Sequence, residues 1–172
     1  MPEGNFIAIL EALSASEIAF ILVGGLAAVL DGAPVTTYDT DIVHSRNEAN
    51  VKRLLVALDQ LDAVFRIQPD RRLKPSATHL AGPGHMHLIT RHGPLDLLGT
   101  IGRGLGYQDL LPHSIEMGIG DGVCIRVLDL ETLIAIKEQL GGENDRVMLP
   151  ILKRTLEEAP HGGISSILRA VY

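Results

Sequence analysis

Tryptophan is missing from this chain, and aromatic residues of all kinds make up only 3% of its 172 residues. A surface that grips nucleic acid by stacking bases on several aromatics is therefore disfavoured, and the core must be built from Leu, Ile, Val and Ala. The one cysteine, Cys124, allows no intrachain disulfide framework. Within the apolar run VCIRVL it is expected to pack as a small hydrophobe rather than act as a nucleophile. Positive charge is also scarce: 15 Lys and Arg face 21 Asp and Glu, a formal charge of −6, which argues against a broad basic footprint but not a local one. Long apolar runs are absent too, because Asp31 and Gly32 interrupt the most hydrophobic stretch, so no membrane span or membrane partner is expected. The opening MPEGNFIAILEAL carries Glu3 and Glu11 and no basic segment. It does not read as a secretory signal, and a cytoplasmic location is the expectation.

With 46% hydrophobic residues the chain can bury a core as one domain over 1–172. We divide it into a core of about 5–127 and a C-terminal helical part of about 128–172. Phe6, Ile9, Leu10 and Leu13 are spaced as the stripe of a short helix. AFILV (19–23) is a strand candidate that runs into Gly24-Gly25 and the helix-forming LAAVLDG, which Gly32 is placed to end. TTYDTDIV reads as a second strand. Asn47 is placed to cap a helix striped by Val51, Leu54, Leu55 and Leu58. Residues 62–67 are a further strand candidate, and QPDRRLKPSATHLAGPG, with three prolines, reads as loop. HMHLIT and PLDLL look like a hairpin around Arg91-His92-Gly93. After a short apolar piece and a turn at Gly120-Asp121-Gly122, VCIRVL reads as a strand and the chain turns helical from Asp129 or Glu131. Gly141-Gly142 stop that helix, and VMLPILKRTLEEA forms another, with Pro150 in its first turn or bending it.

The chemistry-bearing residues are acidic. Thirteen residues separate Gly25 from Asp39, and Asp41 follows one residue later. On an extended backbone both carboxylates would point to one face with their Cα atoms roughly 6–7 Å apart. A third acid, Asp96, alternates with Leu95 and Leu97 and therefore faces away from them. Between leucines an acid must be exposed, paired or metal-bound. Magnesium prefers oxygen ligands and is commonly held by one or two carboxylates plus substrate phosphates. Three acids can hold two ions about 3.5–4 Å apart, one beside an attacking hydroxyl and one beside the leaving group. Gly24-Gly25, where a strand gives way to a helix, permits close backbone approach to an anion.

Together Gly24, Gly25, Asp39, Asp41 and Asp96 resemble the nucleotidyltransferase superfamily that shares the DNA polymerase β catalytic fold. The pattern there is an apolar strand, Gly-Gly or Gly-Ser, a helix, Asp-x-Asp, and a third acid on a later strand. Within it the small bacterial minimal nucleotidyltransferases and AbiEii-type toxin–antitoxin proteins look most similar, with wording close to VGGxAAxxHGxxRxTxDxD. Here Asp31 replaces the usual His and Val35 the usual Arg. The resemblance implies an α/β (α+β) fold, a mixed sheet flanked by helices with further helices at the C-terminus. It also implies transfer of a nucleoside monophosphate from a triphosphate such as ATP to an acceptor hydroxyl on a transfer RNA, a partner protein or a small molecule. Asp39, Asp41 and Asp96 would be catalytic and bind two Mg2+ ions, with Mn2+ as an alternative; Gly24, Gly25 and Lys137 would bind the nucleotide. Asp145 matches the relatives' later Asp, while Asn144 stands where a basic residue is usual.

Other candidates are weaker. Lys137 also fits a solvated or salt-bridged helix face. His85 and His87 share a strand face, but two histidines without a third ligand are a poor zinc site. His44 is a surface imidazole or a substrate contact. Arg66, Arg71, Arg72 and Lys74 form the one local basic patch, either a guide for an anionic acceptor or a solvated loop. The alternative reading of the whole chain is a catalytically silent module that keeps the fold to bind a partner protein. A structural metal-binding domain is a third.

Overall fold

An apolar strand that ends in glycines needs neighbours on both sides and cover on both faces, and the chain supplies them. The computed structural model describes residues 4–159; residues 160–172 of the expected helical part lie outside them. In chain order the elements are α1 (Phe6–Ala15), β1 (Phe20–Val23), α2 (Gly24–Leu30), β2 (Thr40–His44), α3 (Glu48–Gln60) and β3 (Val64–Phe65). They continue with α4 (Ala77–Ala81), β4 (His85–Thr90), β5 (Gly93–Leu98), α5 (Tyr107–Leu110), β6 (Ser114–Gly120), β7 (Val123–Leu128), α6 (Leu130–Leu140) and α7 (Glu143–Glu158). The strands form one mixed sheet in the order β3-β4-β5-β2-β1-β7-β6. The β1–β7 and β2–β5 pairs are parallel, and the others antiparallel. The expected α/β architecture, a mixed sheet flanked by helices, is observed.

Strand alternation divides the core in two. Leu22, Ile42, Leu95, Leu97 and Val127 pack with α1, α3 and α4. Ile21, Val23, Val43, Leu98 and Leu128 face the other way, against α5, α6 and α7. Asp41 and Asp96 share this second face, since each is two residues before Val43 or Leu98. Asn50 of α3 ties strand ends together: fully buried, it donates to the carbonyls of Ala19 and Ser45 and accepts from the Ala19 amide at 2.7 Å. Its own amide donates to Asn47, the predicted cap of α3.

Several local expectations need correction. The second strand begins at Thr40, so Asp39 precedes it. The 62–67 strand shrinks to Val64–Phe65, and the proline-rich stretch holds a 3-10 turn (Pro69–Arg71) and α4. A capping box between Ser76 and His79 starts α4, a signal hidden among breakers. Helix α5 was not anticipated. Pro150 is well inside α7, which starts at Glu143 rather than near Val147, so the proline sits far beyond the first turn. Cys124 is exposed rather than packed, because in β7 the inward positions belong to Ile125 and Val127. His44 is the reverse case. It is fully buried and donates from Nε2 to the Leu80 carbonyl at 2.8 Å, so it is neither a surface imidazole nor near the acids' face. Among the described residues, no helix is long and apolar enough to cross a membrane.

Asp31 ends α2, where the helix dipole already disfavours negative charge. One of its carboxylate oxygens is buried without a partner. Burial first, and then the charge of Asp129, the cap of α6, push its carboxyl up to about 7. A carboxyl raised in the folded state stabilises the fold fully only below its unfolded value and loses that contribution as pH rises through about 7. Asp31→Asn is therefore expected to stabilise the protein at pH 8 by on the order of 1 kcal/mol, allowing for its partial exposure, and to do little at pH 4. Thermal melts at both pH values check this; equal shifts at the two would refute the assignment.

Candidate functional site

The site starts from a steric constraint at the end of β1. All four residues of FILV are buried, and the chain then turns sharply into α2 through Gly24, whose φ is +69°. Glycine is required there twice over. The left-handed backbone penalises any side chain, and a Cβ would collide with the Asp41 carboxylate and stand 3.0 Å from its Cγ. At Gly25 a Cβ would come within 2.9 Å of the Thr37 hydroxyl. The two glycines thus let the α2 backbone lie directly against Asp41.

Strand register brings the acids together. Val23 pairs with Asp41 across β1–β2, Asp41 with Asp96 across the parallel β2–β5 pair, and Asp96 with His87 across β4–β5. Paired residues project to the same face, so Asp41 and Asp96 stand side by side, and Asp96 is only 7% exposed. His87 Nδ1 donates to Asp96 Oδ2 at 2.8 Å. Arg66, just past β3, donates from one guanidinium nitrogen to Asp96 Oδ1 and from the other to Asp39 Oδ1 at 3.5 Å. Asp39 thereby joins the cluster from outside the strand. Asp39 does not share the strand with Asp41 as alternation predicts; the guanidinium links it to Asp96.

Crowding of like charge has an electrostatic consequence. The Asp41 carboxyl is pushed up to about 7, first by burial, then by the charges of Asp96 and Asp39 and by a hydrogen bond to Asp96, with Arg66 opposing them. A cation placed among these oxygens would relieve that repulsion. The donor set is all carboxylate, as a hard ion such as magnesium prefers, and the missing side chain at Gly24 is what gives the Asp41 carboxylate its place against α2. Among the described residues, however, no three acidic, histidine or cysteine side chains already surround a common point. The set therefore suits an ion that takes the rest of its oxygens from water or phosphate, not a complete protein cage. Zinc at His85 and His87 has no support: His87 is bound to Asp96, and His85 to the Thr100 carbonyl at 2.7 Å.

Lys137 and the basic patch are otherwise engaged. Lys137 pairs with Asp145 at 2.9 Å, linking α6 to α7, and makes no hydrogen bond or ion pair with the three acids. Arg72 pairs with Asp62, Lys74 with Asp59, and Arg71 with Gln68. Of the four patch residues, Arg66 alone reaches the acids. A groove of about 210 Å³ opens at the opposite end of β1, lined by Phe20, Tyr107, Glu116, Cys124 and Arg126 among others, and contains none of these groups.

Neither a protein-family profile nor a curated protein sequence matches the chain. Solved structures do match it in fold. The lincosamide antibiotic adenylyltransferase LnuA, with lincomycin bound, superposes with a TM-score of 0.58 at 16% identity over 86% of this chain and 93% of its own. A nucleotidyltransferase candidate from Thermotoga maritima gives a TM-score of 0.51 at 20% identity, covering 88% of this chain and 90% of its own. The fold is that of nucleotidyltransferases.

The glycine constraint is directly testable. Gly24→Ala combines a strained φ with a collision against Asp41 and is expected to cost at least about 2 kcal/mol. Gly118→Ala, with open space around its Cβ, serves as the control. Denaturant unfolding of both checks the difference, and equal midpoints would contradict the close packing of Gly24 on Asp41.

Proposed function

We propose that the protein is a metal-dependent nucleotidyltransferase that moves a nucleoside monophosphate from a nucleoside triphosphate to a hydroxyl of an acceptor. The observation that carries this reading is the direct pairing of Asp41 with Asp96 on one sheet face, beside the Gly24 turn and with Asp39 joined through Arg66. The fold shared with an adenylyltransferase supports it.

In the reaction the acceptor oxygen forms a bond to the α-phosphorus while the bond from that phosphorus to the α–β bridging oxygen breaks, and pyrophosphate leaves. Magnesium, or manganese in its place, supplies neutralisation of phosphate charge when bound. Asp39 and Asp41 would hold it, with Asp96 completing the set. Asp96 accepts the hydroxyl proton, and His87 orients its carboxylate through Oδ2. Gly24 and Gly25 would bind the outgoing phosphates through the backbone at the start of α2. A phosphate contact from Lys137 requires that side chain to leave Asp145.

For the acceptor we favour a small hydroxylated molecule or a protein hydroxyl over RNA. The formal charge is −6, and Arg72 and Lys74 are neutralised by Asp62 and Asp59, so a polyanion would find little free positive charge beside the acids. A role in a toxin–antitoxin pair is compatible with a protein acceptor. Consumption of a nucleoside triphosphate, together with an exposed unpaired thiol at Cys124, fits the reducing cytoplasm.

The test is transfer of label from each α-labelled triphosphate in the presence of magnesium and cell extract. Asp41→Asn and Asp96→Asn are each expected to lower transfer at least about a hundredfold. Label transfer that survives an Asp39→Asn, Asp41→Asn double substitution overturns the mechanism. Absence of transfer with every acceptor, alongside a stable stoichiometric complex with a partner protein, would establish a silent binding module instead.

A further inference from the structure

Arg66 occupies an unusual position. It follows the two-residue strand β3, far from the aspartates in sequence, yet its guanidinium spans the cluster, touching Asp39 with one terminal nitrogen and Asp96 with the other. Its charge also lowers the proton affinity of Asp41, so it acts on all three carboxylates. The third donor, Nε, is buried with no hydrogen-bond partner. An unmade bond to a buried donor is costly, and a donor left over on a guanidinium is suited to an anion.

Arg66 holds one oxygen on each of two carboxylates that would bind a divalent ion. An oxygen shared between a guanidinium and a metal gives less of its charge to each, so Arg66 and an ion would compete for Asp39 Oδ1 and Asp96 Oδ1. Asp39, Asp41 and Asp96 would carry three negative charges when ionised, against one positive charge on Arg66. Loading two divalent ions would turn that deficit into an excess, and the repelled guanidinium would then be drawn to the most negative group nearby, which is the triphosphate.

We propose that Arg66 is an internal counter-ion that competes with the metal for the acid cluster and, once displaced, binds the phosphates of the incoming nucleotide. Arg66 is thus a positioning residue for the acids before loading and a phosphate ligand afterwards. This inference rests on the nucleotidyltransferase reading. It makes metal and nucleotide bind cooperatively, because each helps move the same side chain. A metal ion alone must break the Arg66 contacts without compensation, whereas the metal–nucleotide complex offers the guanidinium new anionic partners.

The two roles have opposite signs, which a merely structural role would not produce. Mn2+ alone is titrated into the full-length chain and followed by electron paramagnetic resonance. A non-hydrolysable triphosphate with Mn2+ is titrated separately by calorimetry. Arg66→Gln is expected to bind free Mn2+ about tenfold more tightly than wild type and the metal–nucleotide complex about tenfold more weakly, the scale of one charge-assisted contact. Arg66→Lys keeps the charge but cannot bridge two carboxylates, so it guards against a folding defect in the glutamine variant. Its free-Mn2+ affinity is expected to lie between the other two. Wild-type binding of Mn2+ that is abolished by Asp41→Asn but unaltered by both Arg66 substitutions overturns this inference alone. Failure of wild type and both Arg66 variants to bind Mn2+ overturns the inference together with the metal-dependent reading beneath it.

Discussion

Repulsion between Asp41 and Asp96 is the interaction around which this molecule is arranged. Directly paired positions on neighbouring strands stand about 5 Å apart, and burial together with the charge of Asp96 pushes the Asp41 carboxyl up to about 7. What keeps them there is the opposite face of the same strands. Ile42, Leu95 and Leu97 are completely buried, and each is worth about 2 kcal/mol in place. A one-residue slip of β2 against β5 would turn Ile42 out of the core beneath α1 and α3 and put Asp41 into it. Hydrophobic register therefore outweighs electrostatic discomfort, and the discomfort is partly offset by Arg66 and His87.

The backbone around that pair is equally constrained. The Gly24 turn is tight because α2 must begin where Asp41 already stands, and Asn50 pins the far ends of β1 and β2 through buried hydrogen bonds. The acids are thus carried on the short, well-anchored centre of the sheet rather than on mobile loops. Asp39 is the exception, one residue before β2, and its tie to the cluster is a side-chain contact rather than strand geometry. Two carboxylates are thus placed by the strands and a third is held by Arg66, the arrangement that the proposed binding of a metal and a triphosphate would draw on.

Much of this was legible in the residues. The apolar stripe of α1, the cap at Asn47, the Gly-Gly turn and the alternation of Asp96 with leucines all follow from local rules, and each element formed as expected. Even the contact of His87 with Asp96 was within reach. A hairpin closed by the two residues Arg91 and His92 pairs Thr90 with Gly93, and counting back three positions puts His87 opposite Asp96. Cys124 and His44 were misjudged for a common reason. Residue type suggests a preference for burial, but the parity of a strand position decides which face it takes, and neighbours decide whether that face is covered.

The sequence by itself determined the strand–glycine–helix–strand unit and the identity of the acids, because periodicity and turn chemistry act over a few residues and leave a readable trace. Only the tertiary structure decided that Arg66, read as part of a basic patch that either guides an anionic acceptor or is solvated, would lie among those acids, and that Lys137 would turn to Asp145. Ion pairs between distant residues depend on which strands become neighbours and on which side chains remain uncompensated once the core is packed. That outcome is a property of the whole sheet order, and no local pattern encodes it.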